Sequence, residues 1–382
     1  MEEKVGLPAM YSIHGAMGLV LILAVIAHAA NELTAKENVS AWALAAPAGL
    51  VSAIFLLLTA LTGAFILSNT LIQKSASLRR LKDQFFKREM GLWAHRLSVP
   101  AILIIFVHMM AIEFVRSNSP LVLLSAFYVL MATGGYVASK VSGHFLPPYV
   151  LKRSIHHNPS VYELVFEPRK GKLMSYKPGQ YVFVRFIKSR LPKESHPFSI
   201  SSAPLAERSS LSVMIKESGD YTRLIGGLKS GDIATLEGPY GNFLDDATLV
   251  ADRPIVMLAG GIGITPIFSI LRSRIDEGAL QDMVLVWSLS TEKDLFLLEE
   301  LREMRKINSY FSYHIIFSKD EVELFDHGQI SQDYLRRIGI DQLYGKAHFF
   351  ICGPPPMMDS MKAILKDIGV ASGQIHIEEF SF

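Results

Sequence analysis

The hydrophobic and polar positions of this chain change pattern twice, near residue 145 and near residue 254. In the first part, apolar residues continue for the ~20 positions that a helix needs to cross a bilayer. Four such stretches are Ala9–Ala30, Trp42–Leu67, Leu92–Val115 and Leu121–Ser139. After the chain leaves them at Ser142–Pro148, short strand patterns follow at Val161–Glu167, Tyr181–Phe186, Leu211–Lys216 and Ala234–Glu237. Gly, Pro, Asn and charged turns separate these strands, which predicts a small antiparallel barrel or sandwich. From Pro254, strands at Ile255–Leu258, Met283–Ser288, Tyr313–Phe317 and His348–Ile351 alternate with helical periodicity. The helices fall at Thr265–Ile275, Leu295–Met304, Gln332–Ile338 and Pro355–Ile368. Alternation of this kind predicts a doubly wound parallel sheet that takes ligands at the carboxyl ends of its strands. The expected architecture is multi-domain: a four-helix transmembrane bundle over 1–145, an antiparallel β-barrel over 146–248 and an α/β domain over 249–382.

Composition supports the split. The chain is 50% hydrophobic and 19% charged with mean hydropathy +0.28, too apolar for a soluble enzyme and too charged for a pure membrane bundle. Lys74, Arg79, Arg80, Lys82, Lys87 and Arg88 crowd the connection between the second and third spans. By the positive-inside rule that loop is cytoplasmic, so both termini are cytoplasmic in a multi-pass cell-membrane protein. Asn31–Ser40 and Arg116–Pro120 then face outward. The first span is too long, and carries too many histidines, for a cleaved signal peptide. Net charge is +2, with no basic-aromatic stripe, so nucleic acid is not an expected partner. The single cysteine, Cys352, excludes an intrachain disulfide and a thiolate metal cage. The bilayer is the expected macromolecular environment, and the sequence implies no obligatory protein partner.

Histidine placement adds chemistry. Four of twelve histidines precede residue 142, and all four lie in the apolar stretches. His14 and His28 share the first span; a spacing of 14 completes nearly four turns and puts them on one face, about 21 Å apart. His95 and His108 share the third. A spacing of 13 turns them off a common face unless the helix is kinked, as Pro100 allows. Opposed across the bundle, His14 with His95 and His28 with His108 would hold the irons of two haems, one near each membrane face. The competing reading is interhelical hydrogen bonding, the better one for any single histidine. Arg96 is suited to a haem propionate or to snorkelling at a helix end.

In the soluble part the motifs come in order: Pro178-Gly179-Gln180-Tyr181, His196-Pro197-Phe198-Ser199, Gly219-Asp220-Tyr221-Thr222 and Gly238-Pro239-Tyr240-Gly241. Next come Gly260-Gly261-Ile262-Gly263-Ile264-Thr265-Pro266 and Cys352-Gly353-Pro354-Pro355-Pro356-Met357-Met358. The first glycine-rich run joins a strand to a helix. Its exposed backbone N–H groups suit a pyrophosphate, with Thr265 as helix cap and Pro266 in the first turn. It is not the G-x-G-x-x-G fingerprint. This series resembles the ferredoxin–NADP reductase superfamily. The His-Pro-Phe-Ser form, together with the histidine spacings, resembles in particular a bacterial NADPH oxidase homologue of the ferric reductase transmembrane-component superfamily. The four spans resemble the last four of that family's six, and the first two have no counterpart here.

The resemblance implies FAD held by Tyr181, His196, Pro197, Phe198, Ser199, Gly219 and Thr222. The Phe198 ring would stack on the isoalloxazine, and Ser199 would lie near its N5. A terminal aromatic would cover the flavin, Phe382 before Phe380, though an apolar end tucked into the sheet competes. NADPH or NADH would be held by Gly260, Gly261, Gly263, Ile264, Thr265, Pro266, Cys352, Gly353, Pro354 and Met357. Cys352 reads equally as a small buried hydrophobe. For a 2′-phosphate, Lys293 and Lys319 are the available cations and Glu292 opposes. Electrons would pass from NAD(P)H through FAD and two b-type haems to an acceptor on the outer face. The acceptor is dioxygen, giving superoxide, or alternatively a ferric or other metal chelate or a quinone. No acid–base catalytic residue is assigned.

Overall fold

The computed structural model describes residues 7–34, 42–63, 94–142, 146–189, 191–204, 209–244 and 253–378. It divides into two compact units, one over Val5–Phe145 and one over Leu146–Phe380. The helical unit contains α1 (Leu7–Thr34), α2 (Trp42–Thr62), α3 (Ser98–Ala111), α4 (Glu113–Ser117) and α5 (Ser119–Ser142). Within it, Ile13–Glu32, Ala45–Thr62 and Ser119–Ala138 are long and apolar enough to cross a membrane; Ser98–Ala111 is apolar but shorter. Large apolar side chains point outward, with Leu19, Leu23, Leu50, Leu123 and Leu130 between 58% and 70% exposed. The basic segment Lys74–Arg88 lies outside the described residues.

The third expected span, Leu92–Val115, is not one continuous helix. Pro100 has no N–H for the Arg96 carbonyl, which accepts instead from Val99 N at 3.1 Å. Leu97 N likewise donates to Ala94 O, three residues back. Bonds of this 3₁₀ kind wind the chain ~120° per residue rather than ~100°. The extra rotation between His95 and His108 is in the sense that a 13-residue spacing lacks. At the other end Ile112 is extended (φ −86°, ψ 117°), which separates α3 from α4.

The second unit begins with an antiparallel sheet: β1 (Pro148–Asn158), β2 (Val161–Pro168), β3 (Tyr181–Lys188), β4 (His196–Ser199), β5 (Leu211–Lys216) and β6 (Ile233–Tyr240). Their order is β4-β3-β6-β1-β2-β5, and an Ile200↔Val213 bridge draws the two edges together. Tyr149, Leu151, Leu164, Phe166, Val184 and Phe186 fill its interior. The parallel sheet follows as β7 (Ile255–Gly260), β8 (Met283–Leu289), β9 (Phe311–Phe317), β10 (Asp326–His327), β11 (His348–Cys352) and β12 (Ile375–Ile377). Helices α6 (Ile264–Asp276), α7 (Leu298–Ile307), α8 (Gln332–Arg337) and α9 (Pro355–Asp367) connect its strands. The order β10-β9-β8-β7-β11-β12 reverses direction at β7/β11. Such a switch point is where an open α/β sheet leaves a crevice for ligand. Helix α7 starts three residues later than its periodicity predicts. Thr291 and Asp294 form a capping box around a 3₁₀ turn, and Leu295 is extended before the helix begins.

Candidate functional site

Strands β3 and β4 carry the first cluster. Their antiparallel register sets Tyr181 opposite Ser199, Val182 opposite Phe198 and Val184 opposite His196. Three of the flavin-motif residues, Tyr181, Phe198 and Ser199, are thereby fixed on one hydrogen-bonded ribbon, with Ser199 buried and Phe198 packed partly against the barrel core. Gly179, at φ +83°, turns the chain into β3. The Gln180 side chain then donates to the Gly241 carbonyl at 3.1 Å. Tyr240 sets its ring 5.9 Å from that of Tyr181. The His196 ring lies on Tyr221, 3.7 Å between centroids. Burial first, then the nearby Glu194 carboxylate, push the Tyr221 hydroxyl up to about 12, so it is a neutral wall.

The Gly219–Thr222 turn is tied to itself. Thr222 Oγ1 accepts from Ser218 N at 2.8 Å and Gly219 N at 3.0 Å, so those two amides already have a partner. A 3₁₀ helix, Thr222–Gly227, begins there.

The two glycine-containing strand ends are neighbours. β7 and β11 pair with Ala259 opposite Cys352, which brings Gly260–Gly263 against Cys352–Pro354 at the switch point. The glycines are needed for this packing. A Cβ on Gly263 would come within 2.4 Å of the Cys352 carbonyl oxygen, and one on Gly260 within 2.5 Å of Met357 Sδ. The Trp287 indole donates to the Gly261 carbonyl at 2.9 Å. Thr265 is not the cap its position suggests: Gly263 occupies the N-cap, and Thr265 Oγ1 donates to the Ile262 carbonyl at 2.8 Å. Ile264 and Pro266 are buried in the first turn of α6. Burial pushes the Cys352 thiol well above the ordinary range, leaving a small neutral group. Lys293 and Lys319 follow the carboxyl ends of β8 and β9, and both are exposed.

Two features escape sequence reasoning. Glu378, just past β12, is half-buried, and its desolvation raises the carboxyl to about 7. It stands where the two sheets meet. A Cβ on Gly241 would lie 3.1 Å from the Tyr181 ring and 3.4 Å from Glu378 Oε1. Such a group can hold or release a proton near neutrality beside the aromatic ribbon. No sequence signal separates it from Glu379, which lies with Phe380 and Phe382 outside the described residues. The second feature joins barrel to parallel sheet. Arg272 of α6 donates to Glu163 at 3.2 Å, to the Ser201 carbonyl at 2.9 Å, and to both oxygens of Glu300. Ser269 adds a bond to the Ser202 carbonyl at 2.7 Å. Burial alone would raise Glu163. The His157 hydrogen bond, the Arg272 charge and the Ser212 hydroxyl outweigh it and hold the carboxyl at about 2.

In the helical unit the histidines meet in two pairs. The ring of His14 stands 5.8 Å from that of His95, at 71° between planes. The His28 and His108 rings stand 6.0 Å apart at 79°.

Comparison with known proteins assigns domains in the second unit. The FAD-binding domain model matches residues 157–243 and the oxidoreductase NAD-binding domain model residues 257–363. A flavohemoprotein from Bacillus anthracis is 30% identical over 249 residues, covering 61% of this chain and 60% of its own. The chain thus spans about 60% of the length of the curated relatives it matches. The flavohem-like FAD/NAD binding domain of nitric oxide dioxygenase from Vibrio cholerae superposes with TM-score 0.54 at 21% identity, over 61% of this chain and 98% of its own. Flavohemoglobin from Malassezia yamatoensis, with bound FAD and heme, superposes with TM-score 0.56 at 17% identity over 89% and 99%. At these identities the two structures speak to fold. Residues 157–243 and 257–363 are therefore the FAD-binding and NAD-binding domains of an oxidoreductase.

Proposed function

We propose that this chain moves electrons from NAD(P)H through FAD and two bis-histidine b haems across a membrane to an acceptor on the far side, dioxygen being the first choice. One observation carries the proposal. A chain with FAD- and NAD-binding domains also holds two opposed imidazole pairs, each setting a histidine of the long apolar α1 against one in or just before the shorter apolar α3. The spacing fits the group. With metal–nitrogen bonds of about 2 Å, two imidazoles on opposite sides of one metal stand about 6 Å apart between ring centres. The rings here are 5.8 and 6.0 Å apart. His14 and His28 are separated by about 21 Å along α1, which fits inside the ~30 Å hydrocarbon core. Outward Leu19, Leu23, Leu123 and Leu130 are suited to lipid.

When bound, FAD exchanges hydride for single electrons and the haems carry those electrons one at a time. The protein's own part is to place and shield. The β3/β4 ribbon would hold the flavin with Tyr181, Phe198 and Ser199. The switch point at Gly260–Gly263 and Cys352–Pro354 would seat the nucleotide, and Glu378 would hold a proton beside them. His196 and Tyr221 stack into a wall at the barrel edge. A ferric or other metal chelate, or a quinone, is the alternative acceptor. The choice is made by assaying the purified full chain in detergent with NADH or NADPH. Reduction should reveal two b haems per chain, and cytochrome c reduction should be sensitive to superoxide dismutase. Insensitivity together with direct ferric-chelate reduction would shift the acceptor. A chain without a bis-histidine spectrum would end the haem reading.

A further inference from the structure

The two histidine pairs are not symmetric. His108 Nδ1 lies 2.7 Å from the Ala45 carbonyl oxygen, and His95 Nδ1 lies 3.3 Å from that of Thr59. Both acceptors are backbone of α2, a long apolar helix that carries no histidine of its own. Among the described residues neither His14 nor His28 has a hydrogen bond of this kind. A carbonyl oxygen can only accept, so each of these Nδ1 atoms must carry the proton, and the Nε2 lone pair is left for another partner. Gly49 sits one turn beyond Ala45, and a Cβ there would come within 2.9 Å of both Cε1 and Nδ1 of His108. At Gly63 the corresponding distances to His95 are 3.7 Å, ordinary contact.

We propose that α2 is a positioning helix for the iron ligands, resting on the haem reading above. The Ala45 and Thr59 carbonyls fix the tautomer and plane of His108 and His95, and Gly49 supplies the gap that seats His108. In an apolar segment no water competes for these carbonyls, so the bonds set the ring orientation. A hydrogen bond to the second imidazole nitrogen makes the ligand more basic, and its loss typically costs 10–100-fold in metal affinity. The tighter bond at His108 makes the His28/His108 site the one that depends more on α2.

Gly49→Ala and Gly63→Ala, each made in the full chain, separate this role from general packing. Sedimentation with membranes and retention of the haem at the other site serve as the check that the helices of each variant are folded. Gly49→Ala should lose the haem of one site, through an affinity about 10–100-fold lower, or shift one of two midpoint potentials upward, while the other site is untouched. Gly63→Ala should retain both haems and both potentials. A second readout needs no variant. Axial imidazole planes near perpendicular, as at 71° and 79°, give strongly anisotropic low-spin ferric signals in electron paramagnetic resonance. The unmutated chain should show two, and Gly49→Ala should convert one to the rhombic type. Two haems with unchanged potentials and signals in Gly49→Ala would overturn the positioning role and leave the haem reading standing. An unmutated chain that carries no haem would overturn both.

Discussion

Gly263 lacks a side chain because the Cys352 backbone leaves no room for one. An added Cβ would lie 2.4 Å from the carbonyl oxygen and 2.7 Å from the Gly353 Cα, and neither can rotate away. Gly263→Ala should therefore push β7 and β11 apart at their carboxyl ends, costing at least the roughly 1–3 kcal/mol of an overpacked core. Thermal unfolding of the second unit would show the loss, and the KM for NAD(P)H should rise. An unchanged melting temperature and KM would refute the packing role. The glycine-rich run is legible in sequence as a nucleotide loop, but its structural reason is not, because its partner strand comes far later in the chain. Thr265 shows the same limit: its place before Pro266 suggests a cap, yet the 3₁₀ turn at Gly261–Gly263 moves the N-cap to Gly263. Glu378 is chemically ordinary in sequence. Only burial, which raises its carboxyl to about 7, distinguishes it.

Between elements, Arg272 joins α6 to β2 through Glu163 and to α7 through Glu300. Removing the guanidinium takes one charged partner from buried Glu163 and leaves it His157 and two serine hydroxyls, so Arg272→Met should cost up to about 3 kcal/mol in urea unfolding. The double variant Arg272→Met with Glu163→Gln should recover much of it, and equal losses in the single and double variants would argue against coupling. The pH dependence has a fixed sign. Glu163 titrates at about 2 in the folded chain against an ordinary 4.5, so its contribution is complete above about 4.5 and is lost as pH falls towards 2. A shift of that size is worth about 3 kcal/mol. In Arg272→Met the acid limb of the stability curve should be shallower. Elements with clear periodicity were legible, as at β2, β5 and α6. Strand β1 was not: its run from Lys152 to His157 is polar except for Ile155, and only Tyr149 and Leu151 are buried where it lies between β2 and β6. The broken third span was half legible. Pro100 announces a disturbance, but the extended residue at Ile112 has no comparable signal.

At the scale of the whole molecule the chain comprises two compact units that divide between Phe145 and Leu146, which is where the apolar pattern ends. The FAD-binding and NAD-binding matches lie entirely in the second unit, and the four paired histidines entirely in the first. The sheets of the second unit have buried apolar cores of their own, whereas the helices of the first turn large leucines outward, which on the proposed reading face lipid. It follows that a fragment covering residues 146–382 should fold without the helices. It should bind FAD, reduce ferricyanide with NAD(P)H, stay in the supernatant of a membrane preparation, and contain no haem. The full chain should sediment with membranes and carry haem, and replacing His28 and His108 together should remove one of two haems while ferricyanide reduction persists. Haem in the fragment would contradict the helix histidines as its ligands. A fragment without flavin would mean that the barrel needs residues before Leu146. The separation matters for mechanism, because hydride chemistry and membrane crossing would then be independently removable, with the FAD-binding domain as the one part that both require.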